Sequence, residues 1–352
     1  MALDLKRVFK NKTVLVTGGT GSFGGEVVKR LLSYNPKKVV VFSRDEKKQF
    51  DMNNKFNDHR LKFVLGDVRD RQSVEHAMHG VDMVFHAAAL KQVPNCEFFP
   101  IQAIQTNIHG SFNVINAAID GGVKNLVLLS TDKAVYPVNV MGMSKALAER
   151  IMIASFRQDR GSTTLSGTRY GNVIYTRGSV IPFFISQMKA KQPLSVTNKD
   201  MTRFMMSLND SVNLVLYALV NGKNGEIYVR KSPAATVGDT AQALVELFKY
   251  KNKIVDIGIR PGEKMHETLI SLEEFRRTRD MGDYYKISPE LPKIDSREYF
   301  FKGENRSTNM PVEGYTSANT TRLTVKGVKK LLLSLPEIKK ELSLLREGNF
   351  YK

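Results

Sequence analysis

Ser130-Thr131-Asp132-Lys133 sets two hydroxyls, a carboxyl and an amine side by side, and Met141-Gly142-Met143-Ser144-Lys145 brings a second amine shortly after. A carboxyl beside an amine suits a reaction that removes a proton at one atom and delivers one at the next. In water the free groups titrate near ~3.9 and ~10.4, so they rest as carboxylate and ammonium. Burial favours the neutral pair and mutual attraction opposes it, so the two are expected to titrate as a unit. Met141 and Lys145 stand at i and i+4, which puts them on one face of a helix. A thioether neither gives nor takes a proton.

The run Asn125-Leu126-Val127-Leu128-Leu129 predicts a buried strand ending at this cluster, and a helix is predicted over 140–156. Open parallel sheets hold their ligands at the carboxyl ends of strands. Upstream, Thr13-Val14-Leu15-Val16 predicts a strand, and Thr17-Gly18-Gly19-Thr20-Gly21-Ser22-Phe23-Gly24 a phosphate-binding turn that opens a helix over 22–33. Glycine at 18, 21 and 24 permits the tight turn and lets the backbone approach a pyrophosphate at the helix N-terminus. Its place between strand and helix gives the pattern weight. A second strand, Val39-Val40-Val41-Phe42, ends at Ser43-Arg44-Asp45. An acid there accepts from a ribose 2′-hydroxyl, whereas an Arg accommodates a 2′-phosphate. Ser43 and Arg44, with Lys48 as a second cation, favour NADP; Asp45 is the counter-signal for NAD. Val84-Phe85-His86-Ala87-Ala88-Ala89 ends another strand, and its small residues let the backbone approach a cofactor. His86 reads as a packed, hydrogen-bonded histidine. No His pair or Cys cluster has metal-ligand spacing, so no metal is expected.

The 352 residues, 42% hydrophobic, suffice for a large core or two interleaved ones. The one cysteine, Cys96, excludes an internal disulfide and suits a reducing cytoplasm. The basic start, 1–12, lacks the apolar core of a secretory signal, and no apolar run approaches the ~18 residues of a membrane span. A cytoplasmic location is the expectation. The net charge of +18 favours anionic ligands. The basic residues are dispersed and not interleaved with aromatics, so polyphosphate ligands fit better than nucleic acid.

In the second half, Thr168-Arg169-Tyr170-Gly171-Asn172-Val173 ends another strand. Arg177-Gly178-Ser179, Thr202-Arg203-Phe204-Met205 and Arg260-Pro261-Gly262-Glu263-Lys264 follow. Two separated arginines suit a pyrophosphate, and an acid suits ribose hydroxyls.

In this order the segments resemble the extended short-chain dehydrogenases/reductases, in which a Ser or Thr after the strand faces Tyr-x-x-x-Lys on the helix. Met141 stands in the Tyr position. The likeness covers nearly the whole chain and is strongest to UDP-N-acetylglucosamine 4,6-dehydratases, and within them to the 5-inverting subgroup of capsule and O-antigen biosynthesis (CapE type), which also carries Met there. It extends to Asp283-Tyr284-Tyr285 and to Tyr315-Thr316-Ser317-Ala318-Asn319-Thr320-Thr321-Arg322-Leu323. The stretch Ala87 to Lys91 resembles the dehydratases more than the 4-epimerases.

The resemblance implies an α/β fold: a doubly wound parallel sheet, the Rossmann fold, over 1–175, with a smaller interleaved substrate domain over 176–352. Part of 205–230 is expected to return to the first domain, 286–322 to form a long loop that latches a neighbouring subunit of a hexamer, and 324–346 to form a closing helix. It implies that Thr20, Gly21, Ser22 and Phe23 line the cofactor with Gly18 and Gly24. Asp67, followed by Val68, sits beside the adenine amino group, Asn107 supports the active-site backbone, and Lys145 binds the nicotinamide ribose. Lys91, Asn172, Arg203, Arg260 and Glu263 bind UDP-N-acetylglucosamine. The implied reaction oxidises C4, eliminates water across C5 and C6 and returns hydride to C6, with inversion at C5 and possible epimerisation at C3. In it Asp132 is the acid and Lys133 the base. Deprotonation of the 4-hydroxyl stays open among Lys133, Thr131 and a bound water. A UDP-sugar 4-epimerase and a non-catalytic NADP-binding sensor are the alternatives; Met141 and the Asp132-Lys133 pair stand against the first, the intact pair and the substrate arginines against the second.

Overall fold

A computed structural model describes residues 4–157, 163–176, 178–290 and 314–351. Nine of their strands form one sheet: β1 (Thr13–Thr17), β2 (Lys38–Ser43), β3 (Leu61–Leu65), β4 (Met83–His86), β5 (Asn125–Leu129), β6 (Thr164–Arg169), β7 (Ile227–Arg230), β8 (Thr278–Asp280) and β9 (Tyr284–Ile287). Their order is β8-β9-β7-β6-β5-β4-β1-β2-β3. The seven from β3 to β7 run parallel, and β9 and β8 extend the edge antiparallel. The chain reverses direction across the sheet between β1 and β4, which makes the gap beyond their carboxyl ends the natural ligand crevice.

The strands are apolar on both faces, as strands between two helical layers must be. Leu15, Val40, Val84, Leu126 and Leu128 feed one core, and Val14, Val16, Val39, Val41, Val127 and Leu129 the other. This alternation fixes the register, since a one-residue slip exchanges the faces. The helix Leu208–Asn221 lies in the second of these layers, with Val212, Leu214 and Val215 buried there beside Val27, Val28 and Leu31 of the helix Ser22–Leu32. A separate core gathers Phe184, Met188, Leu244, Phe248, Val328 and Ile338.

Two sequence expectations need correction. The closing helix predicted over 324–346 is two helices, Val325–Leu333 and Pro336–Arg346. Proline lacks the N–H that continues a helix and fits its first turn, so Pro336 ends one and starts the next. The segment 286–322 is not wholly loop: Lys286 and Ile287 belong to β9, and Tyr315–Thr316 pairs antiparallel with Thr268–Ile270. Within the expected latch, 291–313 lie outside the described residues.

Candidate active site

The glycine turn sits over the end of β4. Gly18 has φ +66, and a Cβ on it would stand 2.9 Å from the Ala88 nitrogen. A Cβ on Gly24 would strike the Gly18 carbonyl and stand 2.7 Å from Gly19 Cα. Gly21 caps the helix Ser22–Leu32 with no side-chain bond, so its first N–H groups face the turn unpaired by a cap. A backbone packed this closely, with small residues at 87–89 and an uncapped helix N-terminus, fits a dinucleotide pyrophosphate. Gly24→Ala is expected to weaken cofactor binding at least about tenfold, read by calorimetric titration, because the added methyl displaces the backbone that makes the cradle.

A buried chain of hydrogen bonds runs from this turn toward the reactive cluster. Thr17 Oγ1 receives the Ala87 and Ala88 N–H groups, both at 3.2 Å, and lies 2.8 Å from His86 Nδ1. His86 Nε2 is 3.0 Å from Ser111 Oγ, whose proton goes to the Asn107 carbonyl at 2.6 Å. Ser111 therefore accepts from Nε2–H, and Nδ1 accepts from Thr17. Burial and the charge of Lys145 push the His86 pKa down to about 3. Unfolded His titrates near ~6.5, so below that pH the unfolded chain binds a proton that the folded one refuses, and stability falls. By pH 4 the loss is about 3 kcal/mol. Acid unfolding of His86→Gln should show a shallower decline than the wild type between pH 6.5 and 4.

Asn107 stands in a π-helical turn, Ile104–His109, the kind of irregularity that collects at functional sites. Its side chain receives the Leu90 N–H at 2.7 Å and donates to the Leu90 carbonyl and to Ser144 Oγ, both at 2.9 Å. It clamps backbone between the cofactor turn and the helix Val140–Arg157. Lys91 follows Leu90 and is exposed. At the start of that helix Asn139 Oδ1 accepts from the Gly142 N–H at 2.8 Å while Nδ2 donates to the Gly262 carbonyl at 2.9 Å. A Cβ on Gly142 would collide with the Lys133 carbonyl, so glycine there seats the helix against the Asp132–Ala134 turn. Met141 is buried with Cys96 and Ala103 in an apolar cluster, which suits a thioether and no proton-transfer group.

Asp132 is 1% exposed. Its Oδ1 accepts from Thr131 Oγ1 at 2.9 Å and from Lys133 Nζ at 3.1 Å, and Oδ2 is buried without a hydrogen-bond partner. Lys133 Nζ is also 3.1 Å from Glu267 Oε1, and Arg203 Nε approaches the same oxygen at 3.9 Å. Burial, aided by the charge of Glu267, raises the Asp132 pKa. Burial pulls Lys133 down, but the two carboxylates outweigh it and hold the amine above the ordinary lysine value. Burial pushes Glu267 up, yet Lys133 and Arg203 bring it below the usual range. Lys133 keeps its charge because a second carboxylate, Glu267, faces it beside Asp132. Glu267 escaped the sequence reading; the polar His266-Glu267 ahead of the buried strand Thr268–Ile270 was the available signal.

Lys145 is buried, and desolvation, eased by Glu149, lowers its pKa to about 8. Asn172 Oδ1 and Glu263 Oε2 are buried without partners, as groups awaiting a ligand would be. Arg203 donates to the carbonyls of Thr202 at 2.8 Å and Met265 at 3.4 Å. Arg260 is exposed, and Arg177 lies outside the described residues. Phe23 stacks on Tyr170, rings 5.6 Å apart. At the end of β2, Asp45 caps the helix Glu46–Phe56, accepting from the Lys48 N–H at 3.0 Å and pairing with the Lys48 ammonium. Ser43 is buried, its hydroxyl accepting from Gln49 at 3.0 Å. Asp67 is held by Arg69 at 2.6 Å and Arg44 at 3.4 Å, and Val68 packs in the core beside it. Thr20 and Ser22 lie on the glycine turn and at the start of its helix.

The sequence pattern described as "polysaccharide biosynthesis protein" matches residues 14–289, and that of the "polysaccharide biosynthesis protein C-terminal" part matches 295–339. A protein of Rickettsia prowazekii named UDP-glucose 4-epimerase is 52% identical over 340 residues, covering 95% of this chain and 99% of the relative. One of the same name from Rickettsia felis is 51% identical over the same shares. The crystal structure of Pen from Bacillus thuringiensis superposes with a TM-score of 0.84 at 36% identity, over 93% of this chain and 99% of that one. DesIV, a dTDP-glucose 4,6-dehydratase from Streptomyces venezuelae solved with NAD, shares the fold at 24% identity and a TM-score of 0.66, over 72% and 86%. The chain belongs to the polysaccharide biosynthesis protein family, a branch of the extended short-chain dehydrogenases/reductases with the fold of nucleotide-sugar dehydratases and epimerases.

Proposed function

We propose that the chain is a 4,6-dehydratase of UDP-N-acetylglucosamine that inverts C5. The observation that carries this is Asp132: a buried carboxyl with a free Oδ2 beside a charged Lys133. Elimination needs an acid aimed at the departing 6-hydroxyl, and a neutral carboxyl with one uncommitted oxygen is such an acid. Simple 4-epimerisation has no leaving group to protonate. A bound nicotinamide cofactor supplies hydride transfer at C4 and C6. Asp132 gives its proton to the C6 oxygen, which leaves as water. Lys133, whose side chain is 22% exposed, first gives its own proton to solvent, and the C5 proton, acidified by the 4-keto group, then goes to the neutral Nζ. The C5–C6 double bond forms from the C5–H electrons, and the site ends with Asp132 ionised beside a cationic Lys133, a pair that attracts.

NADP is the cofactor of this reading. Asp45, the counter-signal, spends its carboxylate on capping a helix and on Lys48; Arg44 is exposed and reaches Asp67 at 3.4 Å with one nitrogen, so its guanidinium keeps donors for a 2′-phosphate. Assembly into a homo-oligomer, and a cytoplasmic location, belong to the same reading; the exposed Phe98, Phe99 and Ile101 support the first. Among the described residues no helix is long and apolar enough to cross a membrane.

The names of the Rickettsia relatives favour the second reading, a UDP-sugar 4-epimerase, more than they favour the first. Mass spectrometry of UDP-N-acetylglucosamine incubated with the protein and NADP separates the two. A product lighter by one water supports the dehydratase, and an isomer of unchanged mass supports the epimerase.

A further inference from the structure

We propose that Glu267 is a positioning residue for the acid–base pair: as the second carboxylate on Lys133 it fixes the ammonium and supplies the negative charge that keeps Asp132 a neutral acid. This deepens the dehydratase reading and rests on it for turnover only.

The geometry is a cation between two anions. Lys133 Nζ stands 3.1 Å from Asp132 Oδ1 and 3.1 Å from Glu267 Oε1. Both carboxylates are nearly inaccessible, and each keeps one buried oxygen without a partner. Two buried carboxylates sharing one ammonium cannot both stay ionised cheaply, so one of them takes a proton. Which one is decided by the remaining neighbours. Arg203 Nε lies 3.9 Å from Glu267, and Lys264, whose Nζ donates to the Val135 carbonyl at 2.6 Å, adds charge from the same loop. Near Asp132 the other groups are the Thr131 hydroxyl, the phenol of Tyr170, and Lys264 at longer range. Glu267 therefore remains the carboxylate and Asp132 the acid. His266 faces away into a bond with Thr202 Oγ1 at 2.8 Å.

Glu267 is also built in by its backbone. Its N–H donates to Ser317 Oγ at 2.9 Å, and its carbonyl accepts from the Ser317 N–H at 2.8 Å. The segment around Ser317 thus returns to hold this one residue beside Lys133.

The test is an infrared titration of the full-length protein, following the C=O stretch of a protonated carboxyl. The wild type should show a band absent from Asp132→Asn. In Glu267→Gln that band should disappear at a lower pH than in the wild type, because Lys133 then pairs with Asp132 alone. In Glu267→Asp it should persist. A band titrating at the same pH in Glu267→Gln and the wild type overturns the proposal. A second measurement needs no Glu267 variant: in Asp132→Asn the Lys133 ammonium should stay charged, read by nitrogen-15 NMR, and a neutral Lys133 overturns the proposal as well. On turnover, the alkaline limb of the kcat profile should move to lower pH in Glu267→Gln, with kcat at pH 8 down at least about tenfold. Absence of dehydrated product from the wild type would reject the dehydratase reading while leaving the infrared result to judge Glu267.

Discussion

Asp132→Asn abolishes water elimination and leaves the cofactor cradle intact. The amide keeps the shape of the carboxyl and retains an oxygen for Thr131 and Lys133, which lie 2.9 and 3.1 Å from Oδ1. It cannot release a proton to the departing hydroxyl. General acids of this kind contribute about 10²- to 10⁴-fold, so turnover to dehydrated product should fall by at least about a hundredfold. NADP titration should give the wild-type affinity, because the glycine turn and the Thr17–His86–Ser111 chain do not touch Asp132. Single-turnover experiments should still show reduced cofactor accumulating, since oxidation at C4 precedes the blocked step. Full turnover by this variant would remove Asp132 from the chemistry.

Arg169→Met unfolds the protein more readily than any surface substitution. Arg169 reaches Glu149 through Nε at 2.9 Å and Nη2 at 2.6 Å, reaches Glu274 at 2.6 and 2.8 Å, and donates to the Leu269 carbonyl at 3.2 Å. Its side chain is 5% exposed. The guanidinium satisfies two carboxylates at once, one on the helix that carries Lys145 and one on the short helix Leu272–Phe275. Removing it leaves Glu149 buried and unpaired and Glu274 with only Arg277 at 3.7 Å, which costs about 3–5 kcal/mol. Urea unfolding should show that loss. The triple variant Arg169→Met, Glu149→Gln, Glu274→Gln should recover part of it, because neither buried carboxylate remains, although Arg277 loses its partner Glu274. Recovery to no degree would mean that packing of the arginine stem, rather than charge, sets the cost.

Much of the fold was legible because its signals are local. Val39-Val40-Val41 and Leu126-Val127-Leu128-Leu129 are continuous apolar runs of the kind that doubly covered parallel strands require, and Gly18, Gly21 and Gly24 mark a turn that only glycine can make so tightly. The reactive Asp132 and Lys133 were legible as neighbours at a strand end. What set their charges was not, because Glu267 reaches Lys133 from far along the chain and Ser317 reaches Glu267 from farther still. The Arg169 network was hidden for the same reason: Glu149 and Glu274 look like surface acids on amphipathic helices until the fold buries them. The apolar pattern runs on through Pro336 and so hides the break between the two closing helices. Asp45 carries the counter-signal for NAD in the sequence, but its position before Glu46 also makes it a helix cap.

The most direct test is proton NMR of UDP-N-acetylglucosamine turned over with NADP in deuterated water. The dehydratase account predicts a 4-keto-6-deoxy sugar with deuterium at C5 and the couplings of the L-configuration; deuterium at C3 would add epimerisation there. A sugar inverted at C4, with its 6-hydroxyl intact and no deuterium on carbon, would contradict the account and establish the 4-epimerase.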